Sequence, residues 1–241
     1  MTNAVLLNNI DHADLRVVTR HAPEFGDSVN QVLVFPTEYE EVQREYPILF
    51  RRDSSGDFQS VALLGLEKDE NLFLDAEGWK ARYVPAVQRR GPFMIGFQAR
   101  EEGGEIRREP MIHVDLDHPR ISRIEGEPVF RPQGGNSPYL EHVSTVLRVI
   151  HQGLEVSGPM FAAFGALDLI RPVAVEIQLD DAEQYVVPDV HTIDEARLAA
   201  LDGAALERLH SGGFLRAAFL AAASLGNVSR LIELKNRRRR A

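Results

Sequence analysis

The chain has 241 residues, 36 acidic against 27 basic, and no cysteine. A net charge of −9 sets the body of the protein against nucleic acid and anionic lipid at long range. The absent cysteines exclude disulfides, thiolate nucleophiles and thiolate zinc sites.

From the amino terminus, MTNAVLLNNIDHADLRVV has no basic start and only residues 4–7 as an apolar run. A secretory segment needs roughly 7–15 apolar residues, so a cytoplasmic protein is expected, with a signal-less route to the cell surface as the alternative. Residues 31–35 (QVLVF) suit a buried strand. Thr37 with Glu40 three positions on predicts a capping box and a short helix over 38–45. Pro47 stops that helix, and 48–50 pairs with 58–66 across the turn Ser54-Ser55-Gly56-Asp57. Residues 93–100 and 105–114 form a second hairpin around 101–104, and 120–124 and 128–130 flank a turn at 125–127.

Periodicity changes after the Gly/Pro/Ser stretch 132–138, which is either a subdomain break or a loop within a single domain spanning 1–241. Leu140, Val143, Leu147, Ile150 and Leu154 predict an amphipathic helix ending near Gly153, with a second helix over 160–169. Residues 173–179 and 185–187 form a late hairpin around 180–183, which needs a sheet to join. Thr192 and Glu195 suggest a cap for 196–201, Asp202 one for 204–210, and helices over 214–225 and 228–237 complete the chain. The apolar stretch 214–225 carries Arg216 and is about half the ~20 residues that cross a bilayer, so no membrane insertion is expected. The fold class is α+β: a mainly antiparallel sheet in the first half, helices packed on it, and a helical carboxy-terminal region.

Residues 71–97 hold the one tryptophan, Trp79, and set Tyr83, Phe93 and Phe97 among Lys80, Arg82, Arg89 and Arg90. Trp79, Arg82, Tyr83, Arg89, Arg90 and Phe93 suit a small anionic aromatic ligand or a protein partner's acidic loop. The alternative is a set of core rings whose rim of arginines is solvated, with Asp75 and Glu77 neutralising the cations. On a strand through residues 113–118, His113, Asp115 and Asp117 share one face and are the metal candidates, while His118 points away unless the strand ends before Pro119. No second ligand set such as H-E-x-x-H appears, so no metal, no cofactor and no catalytic residue are assigned. The run Arg237–Arg240 reads as a helix end complementing the dipole, without nucleic acid as a partner.

The stretch 71–97, with YPILF at 46–50, ALLGL at 62–66, MIHVDLDHPR at 111–120 and the ending 213–236, resembles the SapC family. That family carries a bacterial surface-layer label and is distinct from the membrane permease of the same name. The resemblance implies a non-enzymatic cytosolic accessory or assembly protein for nutrient uptake or small-molecule processing. An anion-binding module built on the Trp79–Phe93 cluster and a metal-dependent enzyme using His113 and Asp115 are the other two readings.

Overall fold

The computed structural model describes residues 3–102, 105–178 and 184–240. The chain opens with Ala4–Leu6 (β1) and Arg16–Val17 (β2), then Gln31–Leu33 (β3) and the short helix Tyr39–Val42 (α1). Ile48–Arg52 (β4) and Phe58–Leu63 (β5) form the expected hairpin. Leu74–Asp75 (β6) pairs with Gly78–Trp79 (β7) and leads into Ala86–Arg89 (α2). The long hairpin of Phe93–Glu102 (β8) and Glu105–Asp115 (β9) follows, then Ile121–Ser122 (β10) and Glu127–Pro128 (β11). After the helix Pro138–Ala166 (α3) come Ile170–Gln178 (β12) and Gln184–Ile193 (β13). Four helices end the chain: Glu195–Ala199 (α4), Gly203–Ser211 (α5), Phe214–Ser224 (α6) and Val228–Arg240 (α7). The turns expected at 101–104 and 180–183 fall wholly or partly outside the described residues.

The fold is α+β, with antiparallel pairing throughout the described sheets. The largest sheet has the order β12-β13-β4-β5-β3, and the late hairpin joins it where His191 lies opposite Phe50. Ile48, Leu49 and Phe50 are all fully buried, which a strand achieves only when both sheet faces are covered. From α3, Phe161 meets Phe50 edge-on at 5.1 Å between ring centres. From α6, the Ser224 hydroxyl oxygen accepts the Ile48 N–H at 2.8 Å. The second sheet, β1-β9-β8, carries its own core of Leu15, Val17, Phe93, Val114, Leu140 and Val143. α3 serves both cores, giving Leu140, Val143 and Leu147 to this one and Met160, Phe161 and Phe164 to the other.

Several local expectations are corrected. The two helices expected over 140–154 and 160–169 are one helix of 29 residues, running through Gly153 and Pro159. Gly153 is a close-approach residue: a Cβ there would collide with Phe35 Cβ and stand 2.8 Å from Thr37 Oγ1. Thr37 does not cap α1; its hydroxyl donates to Val149 O of α3 at 3.0 Å. Pro36 starts a 3₁₀ turn, Pro36–Glu38, and the Glu38 carboxylate accepts the Phe35 N–H at 3.1 Å. β10 and β11 do not pair with each other, because both pair with β2 between them. Thr192 stays in β13 opposite Arg171, and Asp194 caps α4 by accepting the Arg197 N–H at 3.0 Å. Asp202 caps α5 as expected, accepting the Ala205 N–H at 2.8 Å.

At the carboxy-terminal end, a 3₁₀ turn at Leu225–Asn227 joins α6 to α7. The resulting stretch Phe214–Arg240 is long and apolar enough, by length and composition, to cross a membrane. In this fold the small side chains Ala217, Ala218, Ala221 and Ala222 are buried in the main core. Its cations pair with the body: Arg216 with Glu40 at 2.5 Å, Arg230 with Glu45 at 3.2 Å and Lys235 with Glu70 at 2.7 Å.

Gly153→Ala is expected to destabilise the protein by about 1–3 kcal/mol through overpacking against Phe35. Gly158 has open space around its Cβ position, so Gly158→Ala should be neutral or stabilising by up to about 1 kcal/mol. Urea unfolding of both variants checks the contrast, and a stabilised Gly153→Ala would refute the close approach.

Candidate functional site

β6 and β7 place Trp79 opposite Leu74 with its indole directed at the main core. Trp79 Nε1 donates to the Tyr46 hydroxyl at 2.9 Å, and that hydroxyl donates to Tyr83 O at 2.5 Å. The Tyr83 hydroxyl donates to Glu38 Oε2 at 2.7 Å and accepts from Arg89 Nη2 at 2.8 Å. The Arg89 guanidinium carbon lies 4.6 Å from the centre of the Tyr83 ring. Glu38 is buried and also accepts the Ala86 N–H at 2.9 Å. Burial pushes the Glu38 carboxyl above its ordinary range, and its hydrogen bonds and the Arg89 charge offset this only in part.

The other residues of the cluster lie apart from this network. Lys80 is neutralised by Glu77 and by Asp75 at 3.4 Å. Arg82 is exposed; its backbone N–H donates to Glu45 Oε2 at 2.8 Å, and among the described residues its guanidinium has no ion pair. Arg90 donates to Phe93 O at 2.8 Å, and Phe93 itself is fully buried in the second core. Trp79, Tyr83 and Arg89 are thus brought together, while Arg82, Arg90 and Phe93 stand around them.

Three residues that the sequence did not single out complete the site. Arg120, 4% exposed, donates to Val18 O at 3.0 Å, Arg20 O at 2.5 Å and Asp27 Oδ2 at 2.7 Å. His21 Nδ1 lies 3.2 Å from the same Asp27 oxygen, and the His21 ring stands edge-on to Trp79 at 5.4 Å. Burial pushes the Asp27 carboxyl up, but the His21 hydrogen bond and the Arg120 charge outweigh it and leave it below the usual carboxylate range. Arg120 follows Pro119 in a stretch read for metal ligands, and no local period announces a partner 93 residues away.

A cavity of about 260 Å³ opens between the segment after β2, the end of α2 and the first turns of α3. Thr19, His21, Gln88, Arg89, Arg120, Tyr139 and His142 supply its polar lining, Val18 and Val84 its apolar side chains, and no carboxylate lines it. Arg89 Nε is buried without a hydrogen-bond partner among the described residues. Burial pushes the Tyr139 phenol up to about 12, so it faces the cavity as a protonated donor.

The metal candidates do not converge. β9 ends at Asp115, leaving Asp117 beyond the strand, so the face expected to unite His113, Asp115 and Asp117 is broken. His113 lies across Gly96, where a Cβ would collide with its ring. One Asp115 oxygen, Oδ1, accepts the N–H groups of Asn3 at 3.0 Å and Asp117 at 3.2 Å. Among the described residues, no group of three or more His, Asp or Glu side chains is arranged to hold a metal ion.

Asp27→Asn leaves the buried Arg120 cation without its counter-charge, and a loss of about 3–5 kcal/mol is expected at neutral pH. The folded carboxyl ionises below the unfolded one, so its contribution is present above the unfolded pKa and lost as pH falls through the folded one. Denaturant unfolding of both proteins from pH 7 downward should show the gap closing, and a gap independent of pH would refute the assignment.

No curated protein and no solved structure matches the chain. The family model named SapC matches residues 7–231 of the 241, and the chain belongs to the SapC family.

Proposed function

We propose that this protein is a non-enzymatic, cytoplasmic accessory protein for small-molecule uptake or processing, and that it binds a small organic anion in the cavity beside Trp79. One observation carries the reading. In a chain of net charge −9, this cavity is lined by two guanidinium groups, two imidazoles and a phenol, with no carboxylate among the lining residues. Arg89 is the group free to engage: its Nη2 is spent on Tyr83 and its Nε is shut off from solvent, while among the described residues Nη1 has no hydrogen bond. Arg120 has its donors committed to Val18, Arg20 and Asp27, so it shapes the wall. A volume of about 260 Å³ falls just under the roughly 300–1,000 Å³ of drug-sized pockets, which suits a one-ring or short-chain carboxylate. Val18 and Val84 would take the apolar body and Arg89 with Tyr139 the carboxylate.

Benzoate is the probe. Binding should change Trp79 emission through the adjacent His21 ring and weaken as salt is raised. Arg89→Ala should weaken binding by about 1.5–3 kcal/mol, as for loss of a charge-assisted hydrogen bond, with the variant still folded. A folded Arg89→Ala protein that binds benzoate as the wild type does, or a wild type that binds none at millimolar concentration, would refute this reading.

A further inference from the structure

A second cavity, of about 290 Å³, lies across Gln88, Gly91 and Arg120 from the first. Asp115, Arg90 and His118 line it, together with the apolar side chains of Phe25, Val87 and Met94. Its character is different, because it presents charges of both signs.

Each polar group here is only half used by the protein. Asp115 spends Oδ1 on the N–H groups of Asn3 and Asp117, and among the described residues Oδ2 has no hydrogen bond or ion pair. Arg90 spends Nη1 on Phe93 O, while Nε and Nη2 have no partner among the described residues. The two charges face one cavity without pairing with each other. His118 Nδ1 accepts the Arg120 N–H at 3.1 Å, which leaves Nε2 to carry the proton of the neutral ring. Burial, helped by the Arg120 charge, lowers the His118 pKa and so favours that neutral form. Half-buried opposite charges left apart are costly, and a ligand carrying both signs on adjacent atoms satisfies both at once.

We infer that this cavity binds a free α-amino acid with an apolar side chain. Asp115 Oδ2 takes the ammonium group, Arg90 and the His118 Nε2–H take the carboxylate, and Phe25, Val87 and Met94 receive the side chain. The volume suits one amino acid rather than a peptide. The site does not depend on the anion cavity: it shares a wall with it but uses neither Arg89 nor Tyr139 as a ligand.

Isothermal titration of the full chain with L-leucine and L-methionine tests the inference. At least one should bind. On the Arg89→Ala protein, in which the anion cavity is disabled, 4-methylpentanoate, which lacks the ammonium group, and 3-methylbutylamine, which lacks the carboxylate, should each bind at least tenfold more weakly than L-leucine or not at all. Asp115→Asn keeps the Oδ1 acceptor and removes the charge, so it should lose at least tenfold in amino-acid affinity while retaining benzoate binding. Arg89→Ala should do the reverse, which separates failure here from failure of the anion reading. Absence of binding by both amino acids at millimolar concentration would overturn the inference. So would binding of either analogue to the Arg89→Ala protein as tight as that of the amino acid, or a folded Asp115→Asn protein with undiminished affinity. If Asp115→Asn does not fold, the analogue series on the Arg89→Ala protein still decides.

Discussion

Arg120 is the constraint around which the rest of the molecule is arranged. Its guanidinium is taken out of water and surrounded by two backbone carbonyls, the Asp27 carboxylate and the Phe25 ring at 4.8 Å. Desolvating such a pair costs several kcal/mol per ion, so its net gain over an apolar filling is small. Its geometric consequence is large. The contacts pin the segment from Val18 to Asp27 against the turn that follows β9, fixing the wall between the two cavities. They also set His21 beside Trp79, which links the smaller core to the larger one.

Glu38 plays a parallel part beside the first cavity, with the opposite electrostatic balance. Asp27 has two cationic or protonatable partners and is held below the ordinary carboxylate range. Glu38 receives neutral donors from Phe35, Tyr83 and Ala86 and meets Arg89 through the Tyr83 hydroxyl, so burial prevails. Its raised pKa means that its stabilising contribution is complete below the unfolded value and declines as pH rises through the folded one. Glu38 is therefore held at a cost when ionised, and what it holds is the Tyr83–Arg89 pair. The conformational entropy of Arg89 is already spent on this contact, which would lower the ordering cost of the anion binding proposed above.

The parts of this fold legible in the sequence are those whose cause is local. The turn at Ser54–Asp57, the cap at Asp202 and the alternation along β9 each depend on residues a few positions apart. Trp79, Tyr83 and Arg89 were recognisable because rings and cations lie close together in one short stretch. The errors arise where a residue answers to a distant partner. Gly153 reads as a helix stop, yet it is small because Phe35 lies against it, and α3 continues through Pro159. Thr37 and Thr192 had the residue type of caps but are engaged, respectively, by α3 and by the β12–β13 ladder. The Arg120–Asp27 pair spans 93 residues and has no pattern that reading along the chain could detect.

Why both cavities fall where they do follows from the two-core plan. One helix of 29 residues feeds both cores, and its amino-terminal third is committed to the smaller one. The strap from Trp79 to Pro92 must bridge from the larger core to β8, and α2, only four residues long, is the element it has for the crossing. So short a helix cannot fill the junction with apolar side chains, and the junction is instead framed by long cationic ones: Arg89 and Arg90 at the end of α2 and Arg120 facing them. Arg89 turns toward the side lined by histidines and a phenol, and Arg90 toward the side that holds Asp115. Two adjacent guanidiniums on one turn of helix thereby serve cavities of different charge, one purely cationic and one of mixed sign.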